Sequence, residues 1–222
     1  MKLINIKNSQ LAVIGGVAFL AACATTMQAE GVQSGWYVSS DAGLNLMPGV
    51  RGGGHANGND IRTDAGMRYG LEAGYGFKLA EHLTLGAEAE SGIIYNGLSS
   101  IKSGGAEQEL GGNLYQVPIL ANFVMRYQYG KWAPYVGVGG GLDYISANVW
   151  SSGNGPVTAA GSDFGPAVQA LAGVKYQLSD KWELGLGYKY LAALSEKLGG
   201  DIGDRLSTVN NHSISLSVTY HF

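Results

Sequence analysis

The chain has 222 residues, of which only 14% are charged, and its formal net charge is −3. This acidic balance argues against nucleic acid as a partner, and the single cysteine excludes an intramolecular disulfide framework. Low charge together with 36 glycines and 13 tyrosines is typical of a membrane barrel with a crowded interior. A glycine-rich secreted adhesin has a similar composition.

The first segment of the chain has the features of a secretory signal peptide. Lys2 and Lys7 precede an uncharged, mostly apolar stretch at residues 11–24. Fourteen residues are too few to span a bilayer but suit the apolar core of a signal peptide. The segment therefore predicts export from the cytoplasm.

Three processing sites are compatible with this leader. Cleavage after Ala29 would divide the chain into a signal peptide at residues 1–29 and one domain at residues 30–222. Cleavage after Ala24 and lipoprotein-type processing, which would lipidate Cys23, are the alternatives. We expect conventional cleavage near Ala29 and no lipid.

Eight later segments alternate apolar with small or polar residues at a period of two, the pattern of β-strands. Their outward-facing sets run from Trp36 to Leu44, Met67 to Phe77, Leu83 to Tyr95, Tyr115 to Tyr127, Val136 to Tyr144, Val168 to Tyr176, Trp182 to Tyr190 and Ile214 to Phe222. None of these outward positions carries a charge, whereas charged residues occupy the positions between them. A soluble β-sandwich has the opposite arrangement, with charges outside. The pattern predicts an all-β fold, an eight-stranded antiparallel up-and-down transmembrane β-barrel.

The connections between these segments alternate in length. The long ones are rich in Gly, Ser and Asn and lie at residues 46–64, 97–112, 147–163 and 192–210. The short ones lie at residues 80–81, 130–131 and 179–180. This alternation predicts long extracellular loops and short periplasmic turns, with aromatic residues forming an interfacial girdle at each end.

Two motifs in the middle of the chain resemble a known family. Residues 117–122 read VPILAN and residues 132–141 read WAPYVGVGGG. Together they are similar to the small eight-stranded bacterial outer-membrane barrels, which include the transmembrane domain of outer membrane protein A and the opacity-type adhesins. The resemblance covers nearly all of the chain after the leader. Unlike outer membrane protein A, the chain is not expected to carry a peptidoglycan-binding domain after the barrel, so no cell-wall tether is expected.

The resemblance implies a bacterial outer-membrane location. It also implies a monomer that contacts outer-membrane lipid and reaches the barrel assembly machinery through its C-terminal Phe222. No catalytic residue, cofactor or metal site is expected from it. The family shares a scaffold and varies its exposed loops, so a surface ligand of unknown identity is the partner to expect there.

Charged residues on the inward face are the first candidates for function. They are Glu72, Glu88, Glu90, Arg126, Lys175 and Lys189. In a barrel this narrow, opposite charges pair across the lumen, so the pattern predicts a buried ion-pair plug. An ion or proton pathway through the same groups is the alternative. Acid–base catalysis by Glu88 and Glu90 would need a substrate cavity, for which eight strands leave little room.

A second candidate is the pair His212 and Ser213, because some outer-membrane lipid A hydrolases use a Ser-His-acid site. Alternation places His212 outward and Ser213 inward. This arrangement favours a role for His212 in the interfacial aromatic belt over a role in catalysis. We therefore predict a structural or surface-interaction (adhesin-like) barrel. The alternatives are a small porin-like pore and, more remotely, a lipid A-modifying enzyme.

Overall fold

A computed structural model describes residues 34–48, 50–51, 60–103, 106–151, 157–194 and 208–222. They form ten strands: β1 (Gly35–Leu46), β2 (Val50–Arg51), β3 (Asp60–Thr63), β4 (Gly66–Lys78), β5 (Leu83–Ser103), β6 (Ala106–Tyr127), β7 (Trp132–Ser151), β8 (Val157–Gln177), β9 (Trp182–Ala193) and β10 (Val209–His221). Within these ranges no helix is long and apolar enough to cross a membrane. The expected signal peptide and Cys23 lie outside them.

Eight of the strands close into a barrel. β4 to β9 each pair antiparallel with the next strand in the chain, β1 pairs with β4, and β1 also pairs with β10 to complete the ring. The short strands β2 and β3 form a hairpin that extends the sheet beside the upper part of β5. The prediction of an eight-stranded antiparallel up-and-down barrel is confirmed.

The alternation in the sequence separates the two faces of the barrel wall. On β6, Ile119, Phe123 and Met125 are exposed on the outer face, whereas Leu120 and Val124 between them are buried in the lumen. The same division holds on the membrane-spanning part of the other barrel strands. Among the described residues of that part, the outer face is therefore largely apolar and carries no Asp, Glu, Lys or Arg, as contact with lipid requires.

The short connections form tight turns at the periplasmic end. The Leu79 amide donates to the Leu83 carbonyl at 2.9 Å, and the Tyr129 amide donates to the Trp132 carbonyl at 2.7 Å. Gly130 has φ of 56°, a left-handed conformation that glycine adopts without steric cost. The predicted turns are confirmed.

Aromatic rings pair around the outside of this end. Their centroids are 4.8 to 5.3 Å apart, with near-perpendicular rings, in the pairs Trp36–Tyr75, Trp132–Tyr176 and Trp182–Tyr220. At the extracellular end, Tyr144 packs on Phe164 at 4.9 Å. Two aromatic belts thus border the apolar surface.

The extracellular end differs from the sequence-based prediction, because strands occupy much of the predicted loops. β5, β6, β7 and β8 have 21, 22, 20 and 21 residues, whereas the other barrel strands have 12 or 13. A membrane-spanning strand needs about 9–11 residues. The register of neighbouring strands continues through the upper parts of β5–β8, which we call the extension (residues 97–103, 106–112, 147–151 and 157–163). Glycine and asparagine are weak strand formers, but backbone pairing with the neighbouring strand outweighs that preference.

The strand register makes a direct prediction for Ala121, which lies exposed in the middle of the lipid-facing side of β6. Ala121→Arg should lower the free energy of unfolding in bilayers by about 2–4 kcal/mol, because a guanidinium enters the hydrocarbon. Urea titration in lipid vesicles measures this loss. Ala121→Leu is the control and should not destabilise the barrel; equal stability of both variants would show that the register is wrong.

Candidate functional site in the barrel lumen

The extracellular half of the lumen is closed by apolar side chains. One cluster comprises Met47, Leu98, Leu114, Ile145, Ala147, Ala193 and Val209, and a second comprises Ile94, Leu120, Ala167 and Leu191. We call both together the apolar seal. Ile145, Leu191 and Val209 have no accessible surface. This part of the lumen is therefore packed like the core of a soluble protein.

An amide layer lies beside the apolar seal. Asn45 donates through its side-chain nitrogen to the Asn96 oxygen at 2.7 Å and to the Asn211 oxygen at 2.8 Å. The Ser213 hydroxyl donates to the Asn45 oxygen at 2.6 Å. All four side chains are buried. These bonds connect β1, β5 and β10 across the lumen and satisfy polar groups that would be costly to bury unpaired.

Lys189 lies at the centre of the largest charge cluster. Its ammonium is 2.8 Å from Asp41, 2.6 Å from Glu72 and 3.0 Å from a Glu90 oxygen. Arg68 forms an ion pair with Glu90 and approaches Asp41 at 3.6 Å. The cluster joins β1, β4, β5 and β9 in the middle of the barrel. We call these five residues the central charge cluster.

Neutral side chains complete the hydrogen bonding of Glu90. Its second carboxylate oxygen accepts from Asn122 at 2.6 Å and from Gln169 at 2.8 Å. Gln169 also donates to the Asn122 oxygen at 3.2 Å. Glu90 thereby ties β6 and β8 to the central charge cluster.

A second group of charges lies nearer the periplasmic end. Arg126 contacts both Glu183 oxygens at 3.2 and 3.1 Å, and His221 lies 3.1 Å from Glu183. Lys175 donates to the Thr219 hydroxyl at 2.8 Å. No ion pair links Lys175 to a carboxylate within the described ranges. Its charge instead faces the rings of two tyrosines, Tyr37 at 5.7 Å and Tyr135 at 5.9 Å.

Inward-facing glycines make room for the Tyr37 ring. A Cβ added at Gly74 would lie 2.8 Å from this ring, and one at Gly86 would lie 2.6 Å from its hydroxyl. The ring therefore lies flat along the wall and its hydroxyl donates to Glu88 at 2.7 Å. Close approach of a large side chain, and not backbone flexibility, accounts for these two glycines.

The space that remains in the lumen is small. A cavity of about 30 Å³ lies between the two charge groups, lined by residues that include Glu72, Glu88, Lys175 and Lys189. A second cavity of about 10 Å³ lies below Arg126. The larger one has room for about one or two water molecules, and neither accommodates an organic substrate.

The structure brings only some of the sequence-predicted lumen residues together. Glu72 and Glu90 share Lys189 as a partner, whereas Glu88 binds a tyrosine hydroxyl. Arg126 does not pair with these three glutamates as expected. It forms an ion pair with Glu183 of β9 instead. Lys175 faces aromatic rings.

Sequence reasoning omitted Asp41, Arg68 and Glu183 from the candidates although they lie on inward positions, since spacing alone cannot show which charges meet across a barrel. It also missed the apolar seal. A signal was present, because consecutive apolar residues such as Ile93–Ile94 and Ile119–Leu120 interrupt the alternation.

Three carboxylates of the central charge cluster could in principle ligate a metal ion. One oxygen each of Asp41, Glu72 and Glu90 lies within 4.8 Å of the others. The Lys189 ammonium contacts all three residues, so it occupies the position that a cation would take. The arrangement therefore suits an ammonium ion better than a divalent metal.

His212 and Ser213 do not form a catalytic pair. His212 Nδ1 is 2.6 Å from the Tyr188 hydroxyl on the outer face, within the extracellular aromatic belt. Ser213 is buried in the lumen, where it donates to Asn45. The barrel wall separates the two side chains, so a Ser-His site at these residues is excluded.

Several solved structures have folds similar to this barrel. Neisserial surface protein A is 18% identical, with a TM-score of 0.51, over 85% of this chain and 98% of its own. The outer membrane protein OprG from Pseudomonas aeruginosa is 13% identical, with a TM-score of 0.53, over 86% and 99%. The outer membrane protease OmpT from Escherichia coli is 9% identical, with a TM-score of 0.53, over 89% and 100%. At these identities the likeness shows the fold alone.

A comparison with curated protein sequences gives no significant match. The family model described as "Outer membrane protein beta-barrel domain" matches residues 15–222. This match spans every barrel strand, and the closed antiparallel sheet agrees with it. The chain therefore belongs to the outer membrane protein beta-barrel domain family of bacterial outer-membrane proteins.

Proposed function

We propose that this protein is a monomeric display scaffold, which holds the extension and its connecting loops at the cell surface for interaction with a surface ligand. The observation that carries the proposal is the filled lumen. Among the described residues, the apolar seal and the central charge cluster fill most of the lumen, and the two cavities found there have volumes of about 30 and 10 Å³. A lumen filled in this way does not suit the transport of solutes through the barrel.

The extension supports the same proposal. The extension adds five to seven residues to each of β5 to β8 beyond the part that crosses the bilayer, all on one side of the barrel. A paired sheet keeps its side chains in a defined arrangement, as a binding surface needs. The expected contact is with another protein or a cell surface, because the lumen cavities found among the described residues are too small for an organic ligand.

A porin-like pore is the alternative, and single-channel recording separates the two. Purified protein in planar bilayers should show no stable, frequent conductance steps, because no continuous water path crosses the apolar seal. Regular steps of uniform size would contradict the display scaffold and favour the pore.

Trimming the extension tests the binding role. The register pairs Leu98 with Gly112 and Ala147 with Gly161, so each arm can be closed at these pairs with an Asn-Gly turn. We expect the trimmed barrel to fold, by circular dichroism, while bacteria that display it lose adhesion to cultured cells. Replacing Gly130-Lys131 by Asn-Gly at the periplasmic end is the control and should leave adhesion unchanged. Equal adhesion by trimmed and intact barrels would overturn the proposal.

A further inference from the structure

An apolar groove of about 620 Å³ lies on the outer wall of the barrel. Trp182 and Tyr220 line its lower end, and Val38, Ala73, Ala89 and Ile119 line its course. The outward residues of β4 and β5 are small here, while larger rings stand below them at Tyr75 and Phe77. The groove is therefore a depression in the outer wall, and lumen-facing residues such as Glu72 and Glu90 also contribute to its lining.

The groove climbs from the periplasmic belt towards the bilayer centre. Trp182 is the first residue of β9, Ala73 lies five residues above the end of β4 at Lys78, and Ala89 lies six residues above the start of β5 at Leu83. Five strand spacings of about 4.8 Å across strands tilted by about 40° raise the groove by roughly 15 Å. That height is about half of the 30 Å hydrocarbon core, the depth of one acyl chain.

A lysine ammonium group lies at the lower end of this groove. The Lys181 ammonium donates to the Tyr220 hydroxyl at 3.4 Å and lies 5.8 Å from the centre of its ring. Lys181 is exposed in the turn that precedes β9. An ammonium and a phenol hydroxyl at the head of an apolar groove complement a phosphate group that carries an acyl chain.

We propose that the groove holds one glycerophospholipid of the periplasmic leaflet, with one acyl chain along Val38, Ala73 and Ala89 and the phosphate on Lys181. The occupant is a phospholipid and not a second barrel. The Lys181 ammonium lies where a lipid phosphate would lie, and the groove spans only one leaflet, which is the length of one acyl chain. This inference depends on the membrane location alone and is independent of the display role.

Native mass spectrometry tests the site. The full barrel is refolded into vesicles of phosphatidylethanolamine and phosphatidylglycerol, extracted in mild non-ionic detergent and weighed intact. The wild type should retain one phospholipid per barrel. Ala73→Leu with Ala89→Leu, which fills the groove, should reduce this retention roughly tenfold. Lys181→Gln should reduce it about two- to fivefold, because an exposed charge pair is lost.

Ala172→Leu is the matched control, since Ala172 is an exposed alanine on the outer face of β8, outside the groove. It should retain phospholipid as the wild type does. Equal retention by all variants would overturn the proposal, as would a bound mass equal to a second chain. Barrels extracted from cell envelopes should also carry phospholipid at this site; lipid A in its place would overturn the assignment to the periplasmic leaflet.

Discussion

Lys189→Met should lower the free energy of unfolding by about 3–5 kcal/mol, because it leaves the carboxylates of Asp41, Glu72 and Glu90 buried without their shared cation. Methionine preserves most of the side-chain volume, so the loss reflects charge and not packing. Urea titration in lipid vesicles measures it. Adding Glu72→Gln to this variant should restore part of the loss, since one uncompensated charge is removed.

Lys175→Met is the matched control for this result. Both lysines are 7% exposed and both point into the lumen, but Lys175 donates to Thr219 and faces two tyrosine rings. Its removal loses about one hydrogen bond and a cation–π contact, and it also removes a positive charge near Arg126. We expect a change of about 1 kcal/mol or less. Equal losses for both lysines would show that carboxylate pairing is not the source of the effect.

Ile145→Ala should be the most destabilising truncation in the apolar seal, at the upper end of about 2–5 kcal/mol. Ile145 has no accessible surface, so its removal leaves a cavity that the rigid wall cannot close. Urea titration in vesicles again gives the free energy of unfolding.

Leu142→Ala supplies the comparison, because Leu142 lies on the same strand but is 52% exposed on the lipid face. Lipid chains fill the space left by that leucine, so only the transfer term of about 2 kcal/mol is lost. The seal variant should therefore be less stable than the lipid-face variant by at least about 1 kcal/mol. The reverse order would mean that water or mobile side chains occupy the extracellular half of the lumen.

The membrane fold could be predicted from the sequence because contact with lipid constrains each outward-facing residue separately. Each outward residue must be uncharged irrespective of its neighbours, so the outward sets from Trp36 to Phe222 could be identified without knowing any contact. Turn chemistry is equally local, which is why the short connection at Gly130 was placed correctly.

The contents of the lumen were decided by tertiary structure. Glu72 and Lys189 are 117 residues apart, and they meet because barrel closure and strand stagger bring β4 and β9 to the same depth. Alternation marks both as inward but carries no information about depth, so it could not show that Arg126 pairs with Glu183.

The same reason explains the extension. Residues 97–112 have a loop-like composition, and 97–103 and 106–112 become strands only because a neighbouring strand continues to offer backbone partners beyond the membrane. The sequence by itself determined which face of each strand meets lipid, a property of one residue and its solvent. Pairing partners, the apolar seal and the groove beside Lys181 depend on several strands at once, and only the closed barrel brings those strands together.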